Sequence, residues 1–217
     1  MCAIFGSTNY NNFTKLYELN KPRGISASSA IVVTGGNWMQ LIKSDGAFDI
    51  KRLSRGSYYL GHCQAPTTLN QEYNYDTAHP FSWNRFLVAH NGIITNAEEL
   101  AEEYKLQYYN TVRVDSSVIP GLIGTFFHKE SSRPLQDIIK QTAELLKGTF
   151  ACYIFDDRSS RIFLIRSGST LFYDKDGNFS STKFDHAIPF EEGRVGEIVN
   201  GKVVYHNTFI CNSPFFI

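Results

Sequence analysis

Met1-Cys2-Ala3-Ile4-Phe5-Gly6 opens the chain, and how these six residues are read decides the rest. Cysteine is small enough for the initiator methionine in front of it to be trimmed. Once that happens, a thiol and a free α-amine belong to one residue. An α-amine titrates at about 7.7–8.0, near the ambient pH that suits a general base. The thiol is already a good nucleophile and can pass its proton to that amine directly or through one water. The competing reading is purely structural: Cys2 to Phe5 begins a buried strand, with cysteine as a small apolar residue. The hexapeptide alone leaves both readings open.

Bulk properties narrow the class. The 217 residues suffice for one large domain. Lysine and arginine balance aspartate and glutamate to a net charge of zero, without a basic block. That argues against nucleic acid or an anionic membrane as the main partner. Cys2, Cys63, Cys152 and Cys211 lie too far apart for a paired zinc motif, and free thiols fit a reducing cytosol. No apolar run approaches the roughly 20 residues of a membrane span, and no secretory signal opens the chain. A soluble cytoplasmic protein is expected.

No repeat, low-complexity stretch or linker divides the chain, so residues 1–206 read as one domain and 207–217 as a tail. Strand-like runs occupy Ala30 to Thr34, Ser57 to Cys63 and Arg85 to His90. Helices are expected over Ala97 to Tyr104, capped by Asn96, and over Arg133 to Leu146, where apolar residues recur at helical spacing. Asp115 to Phe127 reads as a third, kinked or delayed by Pro120 and Gly121. Short strands return at Phe150 to Phe155, Arg161 to Ile165, Leu171 to Tyr173, Val195 to Val199 and Lys202 to Tyr205. Turns such as Asp176-Gly177-Asn178 and Asn200-Gly201 separate them. Strands, then helices, then strands imply an α+β fold with segregated layers, such as a sandwich of two sheets covered by helices.

Several short segments carry a resemblance. They are Cys2 to Gly6, Arg23-Gly24, Gly61-His62 with Pro66-Thr67, His79-Pro80, His90-Asn91-Gly92-Ile93-Ile94-Thr95-Asn96 and Asp115 to Ile119. Gly148 to Ala151, Arg166 to Ser169 and Glu191 to Ile198 complete the series. Each is weak alone; their order and spacing resemble the class II, N-terminal-nucleophile glutamine amidotransferase domain from Cys2 to about His206. The resemblance implies the four-layer αββα sandwich of the N-terminal-nucleophile hydrolases, with two mainly antiparallel sheets. It implies Cys2 as nucleophile, with Asn91 and Gly92 forming the oxyanion hole. It further implies Asp115 on the α-ammonium of glutamine, Thr67 near the carboxylate and Arg23 supporting the nucleophile. Neither metal nor organic cofactor is required. Residues alone give blander accounts: Asn91-Gly92 as a hairpin turn, Asp115 as a helix N-cap, Arg23 as a solvated charge. His79-Pro80 receives no chemistry.

Two departures stand out. Where the family has an arginine that clamps the glutamine α-carboxylate, this chain has Gln64. An amide cannot replace a bidentate guanidinium. Another base, Arg23 or Arg113, then reaches the carboxylate, or a partner orders the loop, or the substrate lacks that group. On this reading Gln64→Arg is expected to tighten glutamine binding. The second departure is that the 217 residues contain no ammonia-consuming domain, which implies a separate acceptor synthetase or transferase. The expected activity is hydrolysis of the glutamine side-chain amide through a Cys2 γ-glutamyl thioester, giving glutamate and ammonia. Two alternatives are an N-terminal-nucleophile amidase acting on another amide, and a catalytically idle, glutamine-sensing or scaffolding subunit.

Overall fold

The computed structural model describes residues 2–34, 38–65 and 75–212. Thr67 and the last five residues of the tail lie outside that set. The N-terminal part runs β1 (Ala3–Ser7), α1 (Tyr10–Asn20), β2 (Ala27–Thr34), β3 (Trp38–Asp45) and β4 (Tyr58–Gln64). The middle contains β5 (Phe81–Trp83), β6 (Phe86–Ile94), α2 (Ala97–Glu103), α3 (Gln107–Val112), α4 (Val118–Lys129) and α5 (Leu135–Leu145). Then come β7 (Gly148–Asp156), β8 (Arg161–Ser167), β9 (Phe172–Tyr173), β10 (Phe179–Ser180), β11 (Ile188–Pro189), β12 (Arg194–Val199) and β13 (Lys202–Thr208).

Two antiparallel sheets result. One has the order β11-β9-β10-β1-β4-β2-β3, the other β13-β12-β8-β7-β6-β5. Side chains of a strand point alternately to its two faces, and here that alternation builds three cores. Phe5, Ala30, Val32 and Tyr59 face outward onto Phe13, Leu16 and Tyr17 of α1. Ile4, Ile31 and Leu60 face inward and meet Leu87, Ala89, Tyr153 and Leu164 of the second sheet. That sheet's other face, through Val88, Cys152, Ile154 and Phe163, packs on Leu100, Ile119, Leu122 and Ile139 of the helices. The layers are helix, sheet, sheet, helices: the αββα sandwich that was expected. Each fully buried aliphatic or phenyl side chain in these layers contributes about 1.5–3 kcal/mol.

Local details depart from the expectations for physical reasons. Helix α1 was not anticipated, yet Asn9 caps it by accepting from the amides of Asn11 and Asn12. Helix α4 starts only at Val118, which puts Pro120 in the first turn, where its missing N–H costs nothing. Asn96 makes no capping bond; its amide instead joins Leu145 O and Lys147 N, stitching the start of α2 to the entry of β7. Asn91-Gly92 is not a hairpin turn: both residues lie inside β6, opposite Ala151 and Phe150 of β7. Asn200-Gly201, by contrast, does turn β12 into β13, both residues at positive φ. Among the described residues no helix is long and apolar enough to cross a membrane.

Candidate active site

Strands β1 and β4 of one sheet and the C-terminal end of β6 in the other converge on a cavity of about 270 Å³. Cys2, at the start of β1, lines it together with Gln64 and Ala65 at the end of β4. Gly92, Ile93 and Ile94 of β6 line it from the other sheet, together with Arg113 to Ser116. Cys2, Gly92, Asp115 and Gln64, expected from sequence to act together, are thus brought to one place.

Cys2 is buried, 8% exposed. Its Sγ lies 3.8 Å from Ala65 O, a weak thiol-to-carbonyl contact. Burial pushes the thiol above its ordinary value, against the pull of that carbonyl contact. The thiol is therefore neutral at pH 7, and a carbonyl cannot take its proton. Arg23 does not line the cavity. It sits in the 3-10 turn Lys21–Arg23 and donates from Nε to Cys2 O at 2.9 Å, fixing the backbone of the nucleophile. Its neighbour Gly24 (φ +154°) passes so close to Ala65 that an added Cβ would lie 2.5 Å from the Ala65 Cα.

Gly92 adopts φ +147°, a conformation that L side chains rarely take. A Cβ there would stand 1.9 Å from Thr149 O and 2.9 Å from His90 Nε2. Only glycine fits, and its backbone is left bare to the cavity. Asn91 is buried, and its Nδ2 donates to Ser181 Oγ at 3.3 Å. That hydroxyl also accepts from Ile4 N at 3.0 Å, while Ser181 N donates to Ile4 O at 2.8 Å. Ser181 thus ties the nucleophile strand to Asn91 across the two sheets; Asn91 itself stands behind Gly92 and is not among the residues that line the cavity.

Asp115 is not a helix N-cap. It begins the 3-10 turn Asp115–Ser117, and its Oδ2 accepts from Ile94 N at 2.8 Å while Oδ1 accepts from Ser116 N at 2.7 Å. The carboxylate is held beside the end of β6, two residues from Gly92. Ser116 Oγ lies 3.1 Å from Asp115 Oδ1 and 2.8 Å from His90 Nδ1, so its single proton serves one or the other. His90 Nε2 faces Thr149 O at 3.3 Å and therefore carries the ring hydrogen.

Gln64 is only 4% exposed, and its amide is held by the segment before β5. His79 N–H and Nδ1–H donate to its Oε1 at 3.3 and 3.4 Å, and its Nε2 donates to Thr77 O at 3.4 Å. A backbone N–H can only donate and a carbonyl can only accept, so the amide orientation is fixed. His62, His79 and His90 form a buried group, with the first two rings 4.1 Å apart. Burial lowers all three, His62 to about 3, so they are neutral at pH 7. Sequence reading had given His79 and Ser181 no role. His79 precedes a proline, which signals only a turn, and Ser181 reaches the site through a pairing of residues far apart in the chain. No group of three or more His, Cys, Asp or Glu that could hold a metal occurs among the described residues.

A family model described as "Glutamine amidotransferase domain" matches residues 73–183, just over half of the chain. The chain belongs to this family. The matched segment carries Asn91, Gly92 and Asp115. Among curated relatives, the glutamine–fructose-6-phosphate aminotransferase (isomerizing) of Staphylococcus epidermidis is 28% identical over 184 residues, covering 79% of this chain and 30% of that protein. The chain spans about a third of the length of the curated relatives it matches. Among solved structures, the glutamine phosphoribosylpyrophosphate amidotransferase of B. subtilis superposes with a TM-score of 0.70 at 18% identity, covering 95% of this chain and 49% of that one. A glutamine aminotransferase class-II domain protein from Silicibacter pomeroyi superposes with a TM-score of 0.60 at 13% identity, covering 96% and 99%. At such identities the likeness concerns the fold, which is that of the class II, N-terminal-nucleophile amidotransferase domains.

Proposed function

We propose that this glutamine amidotransferase domain hydrolyses the side-chain amide of glutamine, with Cys2 as nucleophile after Met1 is removed. The observation that carries the reading is the placement of the Cys2 thiol in one cavity with the bare backbone of Gly92 and the carboxylate of Asp115. The thiol contacts a carbonyl, and the buried histidines are weak bases. The α-amine of a processed Cys2 is therefore the base that the chemistry requires.

In the forward step the Cys2 sulfur bonds to the amide carbon and its proton passes to the α-amine. Asn91 Nδ2–H and Gly92 N–H donate to the oxyanion, each worth about 2.7–4 kcal/mol by donor removal. The carbon–nitrogen bond then breaks, and the amine returns the proton to the leaving ammonia. Water, deprotonated by the same amine, opens the γ-glutamyl thioester; glutamate leaves and the thiol regains its proton. Asp115 pairs with the substrate α-ammonium. Arg23 acts on the reaction through the Cys2 backbone.

The ammonia goes to an acceptor enzyme outside these 217 residues, in the reducing cytosol that free thiols favour. The curated relative's name couples glutamine to fructose-6-phosphate, but only 30% of that protein aligns here, so the acceptor is left to chemistry elsewhere. The test is a glutaminase assay on processed protein: glutamate and ammonia should appear in equal amounts, and Cys2→Ala should release neither. Turnover by Cys2→Ala would refute the assignment.

A further inference from the structure

The cavity must hold both charged groups on the α-carbon of its substrate, and the Gln64 amide has no charge to offer either of them. Among the described residues that line the cavity, Arg113 and Asp115 are the only ones with charged side chains. They stand two positions apart with an extended Val114 between them (φ −114°, ψ 128°). Ammonium and carboxylate hang from one carbon, so their protein partners must also be close neighbours of opposite sign. Arg113 and Asp115 meet that requirement.

Arg113 occupies a costly position. It ends α3 in the left-handed region at φ 52°, donating its N–H to Tyr109 O. Glycine or asparagine is the low-energy choice at such a helix end. Its guanidinium is 64% exposed, with Glu98 3.6 Å away, a solvated pair that holds it weakly. An arginine kept where glycine would relax the backbone, at the rim of a cavity with one anionic wall, suits a ligand clamp.

We infer that Arg113 binds the α-carboxylate of the substrate, so that Arg113 and Asp115 together read the zwitterionic end of a free amino acid and exclude glutamine within a peptide. The inference deepens the proposed glutaminase reading and rests on it. Arg113 takes over the charge that Gln64 lacks, from the opposite side of the cavity.

The experiment separates the two ideas by measuring binding without turnover. Cys2→Ser protein is titrated calorimetrically with L-glutamine and with L-glutaminamide, which keeps the ammonium and lacks the carboxylate. Glutamine should bind about tenfold or more tightly than glutaminamide. In Cys2→Ser/Arg113→Gly that preference should vanish through loss of glutamine affinity alone, and Arg113→Lys should restore part of it. The melting temperature of Arg113→Gly should hold or rise as the left-handed strain is relieved, which a merely structural arginine would not give. An unchanged preference in Arg113→Gly overturns the role of Arg113 and leaves the glutaminase reading standing. No binding of glutamine to the Cys2→Ser protein overturns both.

Discussion

The two walls of the cavity are built on opposite principles. The nucleophile wall, formed by Cys2, Gln64, Ala65 and His79, is buried and has no charged side chain. Its polar groups are spent on one another: Gln64 on His79 and Thr77, the Cys2 carbonyl on Arg23. The facing wall carries Asp115 and Arg113 and includes Ile93, which is 59% exposed. Chemistry is placed where water is excluded and each oxyanion donor counts for more. Recognition is placed where charges stay solvated until a ligand arrives. In such a site, changes on the buried side should damage catalysis or stability, while changes at the rim should alter affinity.

The most damaging change short of removing the thiol is expected at the junction of the walls. Gly92→Ala places a methyl 1.9 Å from Thr149 O, so β6 and β7 must part. Turnover should fall to background, and the melting temperature should drop as well. A folded, active Gly92→Ala protein would show that β6 does not hold the backbone rigidly against the cavity. Asn91→Ala comes next. It should lower kcat by about 10²–10³ with KM nearly unchanged, because the amide acts on the oxyanion and not on the ground state. An increase confined to KM would move Asn91 to the recognition wall.

Gln64→Arg tests the same contrast at smaller scale, and the structure sets a cost in stability against the tighter binding expected from sequence. A guanidinium cannot accept from His79 N–H and Nδ1–H, and a buried orphaned donor costs about 1–3 kcal/mol. Gln64→Arg should therefore lower the midpoint of chemical denaturation; an unchanged midpoint with tighter glutamine binding would restore the simpler view.

A further contrast concerns pH. His62, His79 and His90 are lowered by burial, His62 to about 3, so as pH falls below 6.5 the unfolded chain binds protons that the folded protein refuses. Their contribution to stability is complete above pH 6.5 and is lost as pH falls, at up to about 1.4 kcal/mol per pH unit for each histidine. Denaturation followed from pH 7.5 to 5 should show that decline, and His62→Asn should flatten it.

How far the sequence could foretell this site depended on how local each signal was. The strands with runs of β-branched and aromatic residues were readable, as was the helix of Leu135, Ile138, Ile139 and Ala143, because their periodicity is contained in a few residues. Of the two readings of Asn91-Gly92, the hairpin turn fails because both residues lie inside β6, where Gly92 is required by the close approach of Thr149 O. Asp115 looked like a cap because its true partner, Ile94 N, is distant in sequence. Ser181 and His79 were illegible for the same reason: their roles exist only once β1, β6 and the segment before β5 are brought together. Strand β3, mostly half-buried at a sheet edge, lacks the strict alternation that marks a strand.

The central claim is that a processed Cys2 supplies both the sulfur and the base. Intact-mass spectrometry of active protein, before and after treatment with an electrophilic glutamine analogue, tests it most directly. The account predicts a chain lacking Met1 that gains one label, located on Cys2, as activity disappears. A fully active chain that still carries Met1, or a label on Cys63, would contradict it.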